Sequence, residues 1–388
     1  RPEKKEAIRL CKEMLELSAA FFENIKNFAE VQCTHGHVEG VFAPSALLSL
    51  KALSAVIKSL SMLFYTADRR NTVYRNISGR LEQKRKMLAL LSDHTGLICW
   101  LEYTKVTVCR LCALPKQLDF LLHEDLWGNG NPYLLTSATL SVGGDFGHFM
   151  HQTGIDLLNR KRIQTVSKAS PFDYENHALL YLPGDLPFPN VRKKVYREAI
   201  VKKLEELIRQ SYGHMLVLFT SYRMMEIVYQ ELSERIKDFP LFCMGKGRLE
   251  AIRQFRRSGN GVLLASDSAG EGIDLAGDIL SSLVVIKLPF PAPDPVLEYK
   301  KSLYKDFQDY LTEVIVPEML IKLRQWIGRG IRRETDTCVI SILDCRADGR
   351  YRDDILTALP DMPVTDRVED VGIFIRRNKP DDYFMNEE

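Results

Sequence analysis

Three side chains near residue 330 have the types and the spacing to bind a polyanion. Residues 325–333 read Gln-Trp-Ile-Gly-Arg-Gly-Ile-Arg-Arg, so Gln325, Arg329 and Arg332 recur at i, i+4 and i+7. On a helix these positions share one face. Each guanidinium offers a planar fork of donors that matches phosphate oxygens. The string therefore predicts an anion-binding face, and the alternative is a solvated basic helix end.

Two further clusters are rich in hydroxyl groups. One is Thr136-Ser-Ala-Thr139, on a short turn after an apolar run, and the other is Phe219-Thr-Ser-Tyr-Arg223, where a helix is predicted to begin. A helix N-terminus attracts anions, although simple capping by a serine explains the second cluster equally well. The candidate residues are Ser137 and Thr139 in the first cluster and Thr220, Ser221 and Tyr222 in the second.

The fourth cluster is Ser266-Asp-Ser-Ala-Gly-Glu-Gly-Ile-Asp274. Gly272 lets a ligand approach the backbone, while Glu271 and Asp274 supply acceptors for a ribose or a partnering arginine. In open α/β sheets, ligands bind outside the carboxyl ends of the strands. We therefore expect all four clusters to lie where strands end.

The apolar pattern predicts the elements that position these clusters. The first ninety residues carry helical stripes. One stripe, with one longer gap, runs through Ile8, Cys11, Leu15, Phe22, Ile25 and Phe28, and Ser45 is a plausible N-cap of the second helix. A third helix, about 72–92, carries five cations that suit either a nucleic-acid backbone or a solvated face. A hairpin is predicted from Leu97–Tyr103 and 104–111, followed by a strand at 133–135.

Beyond residue 170, apolar runs alternate with amphipathic segments, which predicts a parallel, doubly wound sheet. The fold class is therefore α/β. The predicted strands are 177–182, 214–220, 261–266, 281–288 and 337–344, and the predicted helices are 191–211, 222–236, 248–257 and 317–332.

Bulk properties narrow the function classes. With 388 residues the chain can hold two or three domains, and its net charge of +2 is too small to indicate a nucleic-acid partner by itself. The eight cysteines show no disulfide-framework spacing, so we expect reduced thiols in an intracellular protein without a metal site. No signal peptide is visible, and Lys51 and Lys58 within 41–66 predict an amphipathic helix of a soluble protein.

The four clusters, in this order and at these distances, resemble the superfamily 2 DNA helicases of the XPD/DinG-like family. Thr136–Leu140 is similar to helicase motif III, Val217–Tyr222 to motif IV, Glu271–Asp274 to motif V and Gln325–Arg332 to motif VI. The resemblance covers about 94–350. It also includes Ser170-Pro-Phe172, Leu288-Pro-Phe290 and Ile342-Leu-Asp-Cys-Arg346.

This resemblance implies a domain plan and a mechanism. It predicts a helical Arch-like insertion (1–93), the C-terminal part of a first RecA-like domain (94–150) and a second RecA-like domain (151–388). ATP and Mg²⁺ would lie between the RecA-like domains, and the motor would move 5′→3′ along single-stranded DNA as a monomer. In the roles it implies, Arg329 and Arg332 stabilise the γ-phosphoryl group, Gln325, Glu271, Gly272 and Asp274 line the nucleotide cleft, Ser137 and Thr139 couple hydrolysis to DNA, and Thr220, Ser221 and Tyr222 contact the strand.

The departures from the family are equally specific. No G-x-x-x-x-G-K-[ST] P-loop, no Asp-Glu-x-His motif and no four-cysteine iron–sulfur insertion occurs, and Gly245-Lys246-Gly247 is predicted to be a loop. Together with a first residue that is not Met, this predicts the C-terminal half of a helicase whose partner is its own N-terminal half, where an iron–sulfur cluster could lie. The family suggests DNA repair and a cytoplasmic (or, in a eukaryote, nuclear) location. The alternatives are a non-enzymatic module that binds nucleic acid or protein, and an RNA-directed relative.

Overall fold

The computed structural model describes residues 2–32, 44–67, 70–103, 109–137, 139–168, 170–245, 248–266, 275 and 277–384. The chain divides into two compact units. The helical unit comprises Arg1–Asn131, Gln152–Leu158 and Ala292–Tyr310, and the sheet unit comprises Pro132–His151, Asn159–Pro291 and Leu311–Glu388. The domain boundaries predicted at residues 93 and 150 remain predictions.

Three long helices open the helical unit: α1 (Pro2–Gln32), α2 (Pro44–Ala67) and α3 (Thr72–Ser92). They exist where the periodicity predicted helices, but the stripe predicted for α1 is partly wrong. Ile8, Leu15 and Phe22 are exposed, whereas Ile25 of the same predicted stripe is buried, together with Leu10 and Phe21. The predicted stripe contained one longer gap, and the buried face instead follows a different line of residues around the helix.

The second helix begins at Pro44, so Ser45 lies inside it and the predicted N-cap at Ser45 is wrong. Proline favours a first helical position because it lacks the N–H that would have no partner there. By length and composition α2 could cross a membrane. Its most apolar 18 residues have a mean hydropathy of 1.6, and a third of them are buried in the structure. Lys51 and Lys58 are exposed, and the buried side of α2 includes Leu50 and Leu60.

The predicted hairpin is present, with its second strand later than expected. Strand β1 (Leu97–Tyr103) pairs antiparallel with β2 (Cys109–Pro115), and residues 104–108 between them lie outside the described residues. The rest of the unit consists of α4 (Leu118–Asp125), α10 (Pro295–Ser302), α11 (Phe307–Tyr310) and short 3₁₀ turns.

A seven-stranded sheet, parallel in every pair, forms the sheet unit in the order β5-β6-β4-β7-β8-β3-β9. The predicted α/β doubly wound class is confirmed. The strands are β3 (Ala178–Tyr181), β4 (Met215–Phe219), β5 (Leu241–Cys243), β6 (Val262–Ser266), β7 (Ser282–Val285), β8 (Cys338–Ile342) and β9 (Val364–Thr365). The helices are α5 (Gly147–Thr153), α6 (Tyr174–His177), α7 (Lys194–Ser211), α8 (Tyr222–Arg235), α9 (Arg248–Arg257), α12 (Val316–Ile327), α13 (Cys345–Asp348), α14 (Arg352–Ala358) and α15 (Val368–Asn378), with a π-turn at Leu311–Ile315.

Two hydrophobic cores explain why the strands are mostly apolar on both faces. In β4, Leu216 and Leu218 face a core that includes residues of α9, α12 and α14. Met215 and Val217 face the opposite core, which includes residues of α7, α8 and α15. Since helices cover both faces, alternate positions are equally buried and a polar residue has no solvated side to occupy.

The strand predicted at Tyr133–Leu135 is not formed. These residues have no regular secondary structure, and Leu134 is 91% exposed. A strand requires a hydrogen-bonded neighbour, and no described strand pairs with this segment.

Candidate functional site

The predicted helix through residue 332 is too long. Helix α12 ends at Ile327, and the backbone N–H of Gly328 bonds to the carbonyl of Arg324 at 2.9 Å. Gln325 therefore lies in the last turn of α12, while Arg329 and Arg332 lie in the segment that follows it. The expectation that the three residues share one helical face is wrong.

After the helix ends, the backbone approaches the sheet closely. Gly330 lies so near β8 that a Cβ atom there would stand 2.8 Å from Sγ of Cys338. A larger residue would not fit, so this close approach requires glycine. The glycine in Gly-Arg-Gly was the signal in the sequence, since glycine is a poor helix former.

Two of the predicted clusters meet at the end of α12. Nε2 of Gln325 lies 3.4 Å from Oγ1 of Thr139, to which it donates a hydrogen bond. The backbone N–H of Thr139 donates in turn to Oγ of Ser137 at 3.2 Å. Arg324, which the sequence reasoning overlooked, donates from Nη1 to the carbonyl of Ser141 at 3.2 Å. The hydroxyl turn is thus tied to the helix that carries the glutamine.

The cluster after β4 begins a helix, as predicted. Ser221 is the N-cap of α8, and its Oγ accepts a hydrogen bond from the backbone N–H of Met224 at 3.4 Å. Thr220 and Tyr222 are exposed beside it. Hydrogen bonding to the carboxylate of Glu226 raises the pKa of Tyr222 above its ordinary value, which keeps the hydroxyl neutral. The capping explanation of Ser221 therefore holds, and its role toward DNA remains a prediction.

These clusters do not all lie at the carboxyl edge of the sheet. Residues 220–222 follow β4 and so lie at that edge, whereas residues 328–337 lead into the start of β8. Because β4, β7 and β8 are parallel, the start of β8 lies at the amino edge. The expectation of one shared edge is therefore wrong for the arginine string. A helix that returns across a parallel sheet delivers its last residues to the amino edge, which strand-end reasoning overlooked.

Most of the glycine-rich cluster that follows β6 lies in a gap between the described residues. Residues 267–274, with Glu271, Gly272 and Asp274, belong to that gap, and Lys246 and Gly247 also lie outside the described residues. Their predicted roles remain predictions.

A second polar centre, which the sequence suggested only as a family signature, joins the ends of β7 and β8. The buried carboxylate of Asp344 accepts a hydrogen bond from the backbone N–H of Leu288 at 3.0 Å. It also pairs with the guanidinium of Arg346, whose centre lies 4.8 Å from the ring centroid of Phe290 and 5.4 Å from that of Phe188. The Leu-Pro-Phe and Leu-Asp-Cys-Arg signatures therefore meet because their strands are neighbours.

Among the described residues, no group of three or more His, Cys, Asp or Glu side chains is placed to hold a metal ion. Six of the described cysteines are free thiols: Cys11, Cys99, Cys112, Cys243, Cys338 and Cys345. Burial raises the pKa of Cys338 to about 12 and also raises the pKa of Cys99 and Cys243, so these thiols remain protonated.

Comparison with known proteins identifies a family match in the second half of the chain. Residues 204–362 match the helicase C-terminal domain family. The chain is 34% identical over 253 residues to the ATP-dependent DNA helicase YoaA of Haemophilus influenzae, which covers 63% of the chain and 38% of that relative. It is 32% identical over 328 residues to YoaA of Escherichia coli, which covers 81% of the chain and 47% of that relative. The chain therefore spans less than half the length of these relatives.

Solved structures agree in fold. The structure of S. tokodaii Xpd4 superposes with a TM-score of 0.58 at 18% identity and covers 93% of this chain and 70% of that one. An XPD helicase structure gives a TM-score of 0.51, also at 18% identity, and covers 92% of this chain and 64% of that one. At such low identity the likeness establishes the fold alone.

Proposed function

We propose that this chain, which belongs to the XPD/DinG-like helicases through its helicase C-terminal domain, forms the C-terminal half of a 5′→3′ ATP-dependent DNA helicase. In this proposal it binds single-stranded DNA and supplies Arg329 and Arg332 to the nucleotide cleft. The observation that carries the proposal is the hydrogen bond between Gln325 and Thr139. It joins two strings that resemble helicase motifs, and one of them, Gln325–Arg332, lies within the residues that match the helicase C-terminal domain family.

The arginine string has the chemistry that a triphosphate requires from this half of a motor. Arg332 is exposed and Arg329 half-buried, and their guanidiniums can offset the negative charge that develops on a transferring phosphoryl group. Bound ATP would supply the cleavable phosphoanhydride bond, and Mg²⁺ would offset the charge of its phosphates. The residues that hold the phosphates and the metal are assigned in this proposal to the N-terminal half, because this sequence contains no P-loop.

The single strand is assigned to the carboxyl edge of the sheet. There Thr220 and Tyr222 offer exposed hydroxyls, and the N-terminus of α8 offers backbone N–H groups to a phosphate. The proposal also includes a monomeric state, a location in the cytoplasm (or in the nucleus of a eukaryote) and a role in DNA repair.

The decisive experiment uses the product of the complete reading frame that encodes this chain. We expect DNA-stimulated ATP hydrolysis from that product and none from the 388-residue chain alone. Replacing Arg332 by alanine should lower kcat by about 10³-fold while single-stranded DNA still binds, because an arginine finger acts on the transition state. Unchanged kcat in Arg332→Ala would refute the assignment of the arginine finger.

A matched pair of substitutions separates helix capping from DNA binding at Ser221. Ser221→Asp keeps an N-cap acceptor, so the free energy of unfolding should change little, but it places a negative charge where a phosphate is proposed. Single-stranded DNA affinity should fall in this variant and hold in Ser221→Asn, which caps without charge. Equal affinity of the two variants would remove Ser221 from the DNA site.

The rival proposals predict different outcomes in the same assays. A non-enzymatic module would bind single-stranded DNA or a partner protein without hydrolysis by the complete product. An RNA-directed relative would release DNA when single-stranded RNA of the same length competes.

A further inference from the structure

One buried carboxylate links two segments that lie far apart in sequence. Asp336 is 4% exposed and lies just before β8. Its Oδ1 accepts a hydrogen bond from the backbone N–H of Gly277 at 3.1 Å, and its Oδ2 accepts from the backbone N–H groups of Arg332 and Arg333 at 2.9 Å each. Both oxygens are therefore in use, each on a different segment.

The two segments are those to which the resemblance gives nucleotide chemistry. Arg332 belongs to the arginine string, and Gly277 follows the segment of Glu271 and Asp274 in the chain. Gly277 has φ +87°, a left-handed conformation that other residues adopt with strain, and this conformation presents its N–H to Asp336. The next residue, Asp278, is held by the buried ammonium of Lys379 at 2.6 Å.

A carboxylate that served only to cap the turn after Arg332 would need one oxygen for that turn. The second oxygen instead accepts from Gly277, a residue 59 positions away in the chain. Burying a carboxylate is costly, and here three backbone N–H groups offset that cost. The arrangement fixes the backbone of the arginine string relative to the end of the preceding segment.

We propose that Asp336 is a positioning residue. It holds the backbone of Arg332 in the position from which the guanidinium contacts the nucleotide. The proposal rests on the proposed function, since it assigns a task within the same nucleotide site. Asp336 itself touches no substrate, and it acts through the two backbone segments that it joins.

Asp336→Asn tests this directly because asparagine has one acceptor oxygen where aspartate has two. Whichever way the amide turns, its NH₂ group must face a backbone N–H, so one of the two anchors is lost. In the complete product, kcat for DNA-stimulated hydrolysis should fall about 10- to 100-fold with KM for ATP changed less than about twofold, because a small misplacement of a catalytic group costs this much. In the Arg332→Ala background, Asp336→Asn should cause no further fall in kcat, since Asp336 acts through Arg332.

The matched control is Tyr383→Phe, which removes a buried hydrogen bond from Tyr383 Oη to the carbonyl of Ser211 at 2.9 Å and leaves the arginine segment untouched. It should lower the melting temperature without a change in kcat. If Asp336→Asn does not fold, Gly277→Ala strains the same anchor from its other end and should lower kcat in the same direction.

Each outcome decides the matter. A fall in kcat that vanishes in the Arg332→Ala background supports positioning. A fall that multiplies with that of Arg332→Ala, or a loss of stability with unchanged kcat, overturns the proposal while the proposed function stands. Absence of DNA-stimulated hydrolysis in the unmutated product refutes the proposed function first, and the role of Asp336 with it.

Discussion

The stability of the sheet unit should depend on the protonation of His214. This residue lies in the turn before β4, is 7% exposed, and stacks on the ring of Tyr383 with centroids 3.9 Å apart. Burial lowers its pKa to about 4 from the usual 6.5, with a smaller contribution of the same sign from Lys379 and an opposing one from Asp278. The folded state therefore favours the neutral ring.

Proton linkage determines whether the free energy of unfolding rises or falls with pH. Between about pH 4 and 6.5 the unfolded chain binds a proton at His214 that the folded chain does not, so the free energy of unfolding rises with pH in this window. The contribution is complete above the unfolded pKa and is lost as the pH falls. A difference of about 2.5 pKa units corresponds to about 3 kcal/mol over the whole window, and about 2 kcal/mol of it is lost between pH 7 and pH 5.

The assay is urea unfolding at pH 7 and pH 5, followed by the fluorescence of buried Trp326 after Trp100 and Trp127 are replaced by phenylalanine. His214→Asn removes the titrating group, and asparagine tolerates the positive φ of 44° at this position. The stability lost between the two pH values should be about 2 kcal/mol smaller in His214→Asn than in the parent.

Tyr383→Phe is the control for the pH experiment, because burial raises the pKa of Tyr383 and the phenol does not titrate in this range. It keeps the ring stack, so its stability should fall by about 1 kcal/mol equally at both pH values. If parent and His214→Asn lose the same stability between pH 7 and pH 5, the reasoning about His214 is refuted.

Two further predictions concern the sheet unit. Asp344→Ala should cost about 3 kcal/mol in urea unfolding, because it leaves the guanidinium of Arg346 between two rings without its counter-charge, and a loss below about 1 kcal/mol would show that the pair contributes little. Gly330→Ala should cost about 1–2 kcal/mol, since its Cβ would stand 2.8 Å from Sγ of Cys338, and Gly330→Ala/Cys338→Ala should recover part of this loss.

The sheet was predictable because its strands are buried on both faces. The five strands predicted beyond residue 170 are all present, and only their ends differ from the prediction. A continuous apolar run such as Met215–Phe219 is stable only where both faces of the strand are covered. The strands that were missed, Leu241–Cys243 and Val364–Thr365, are short and lie on the outside of the sheet, where partial exposure weakens the apolar signal.

The candidate site was less predictable because its geometry depends on contacts between distant residues. The sequence identified Gln325 and Thr139 as candidates, but their hydrogen bond depends on how the turn at 136–139 meets α12. Likewise, an aspartate before a strand gave no reason to expect that Asp336 bonds to Gly277. Local patterns predict which residue types lie near a site, whereas long-range hydrogen bonds arise only from the folded chain.

The amino-edge position of the arginine string constrains how the proposed motor could couple its two ligands. A five-residue strand such as β4 is about 15 Å long, so the hydroxyls after β4 and the arginines before β8 are separated by about the depth of the sheet. Coupling between DNA and nucleotide must therefore cross that depth. Ser266 ends β6 at the carboxyl edge, and Gly277 precedes β7 at the amino edge. Because Gly277 and Arg332 are both bonded to Asp336, a displacement of Gly277 would reach Arg332 through two hydrogen bonds to one carboxylate.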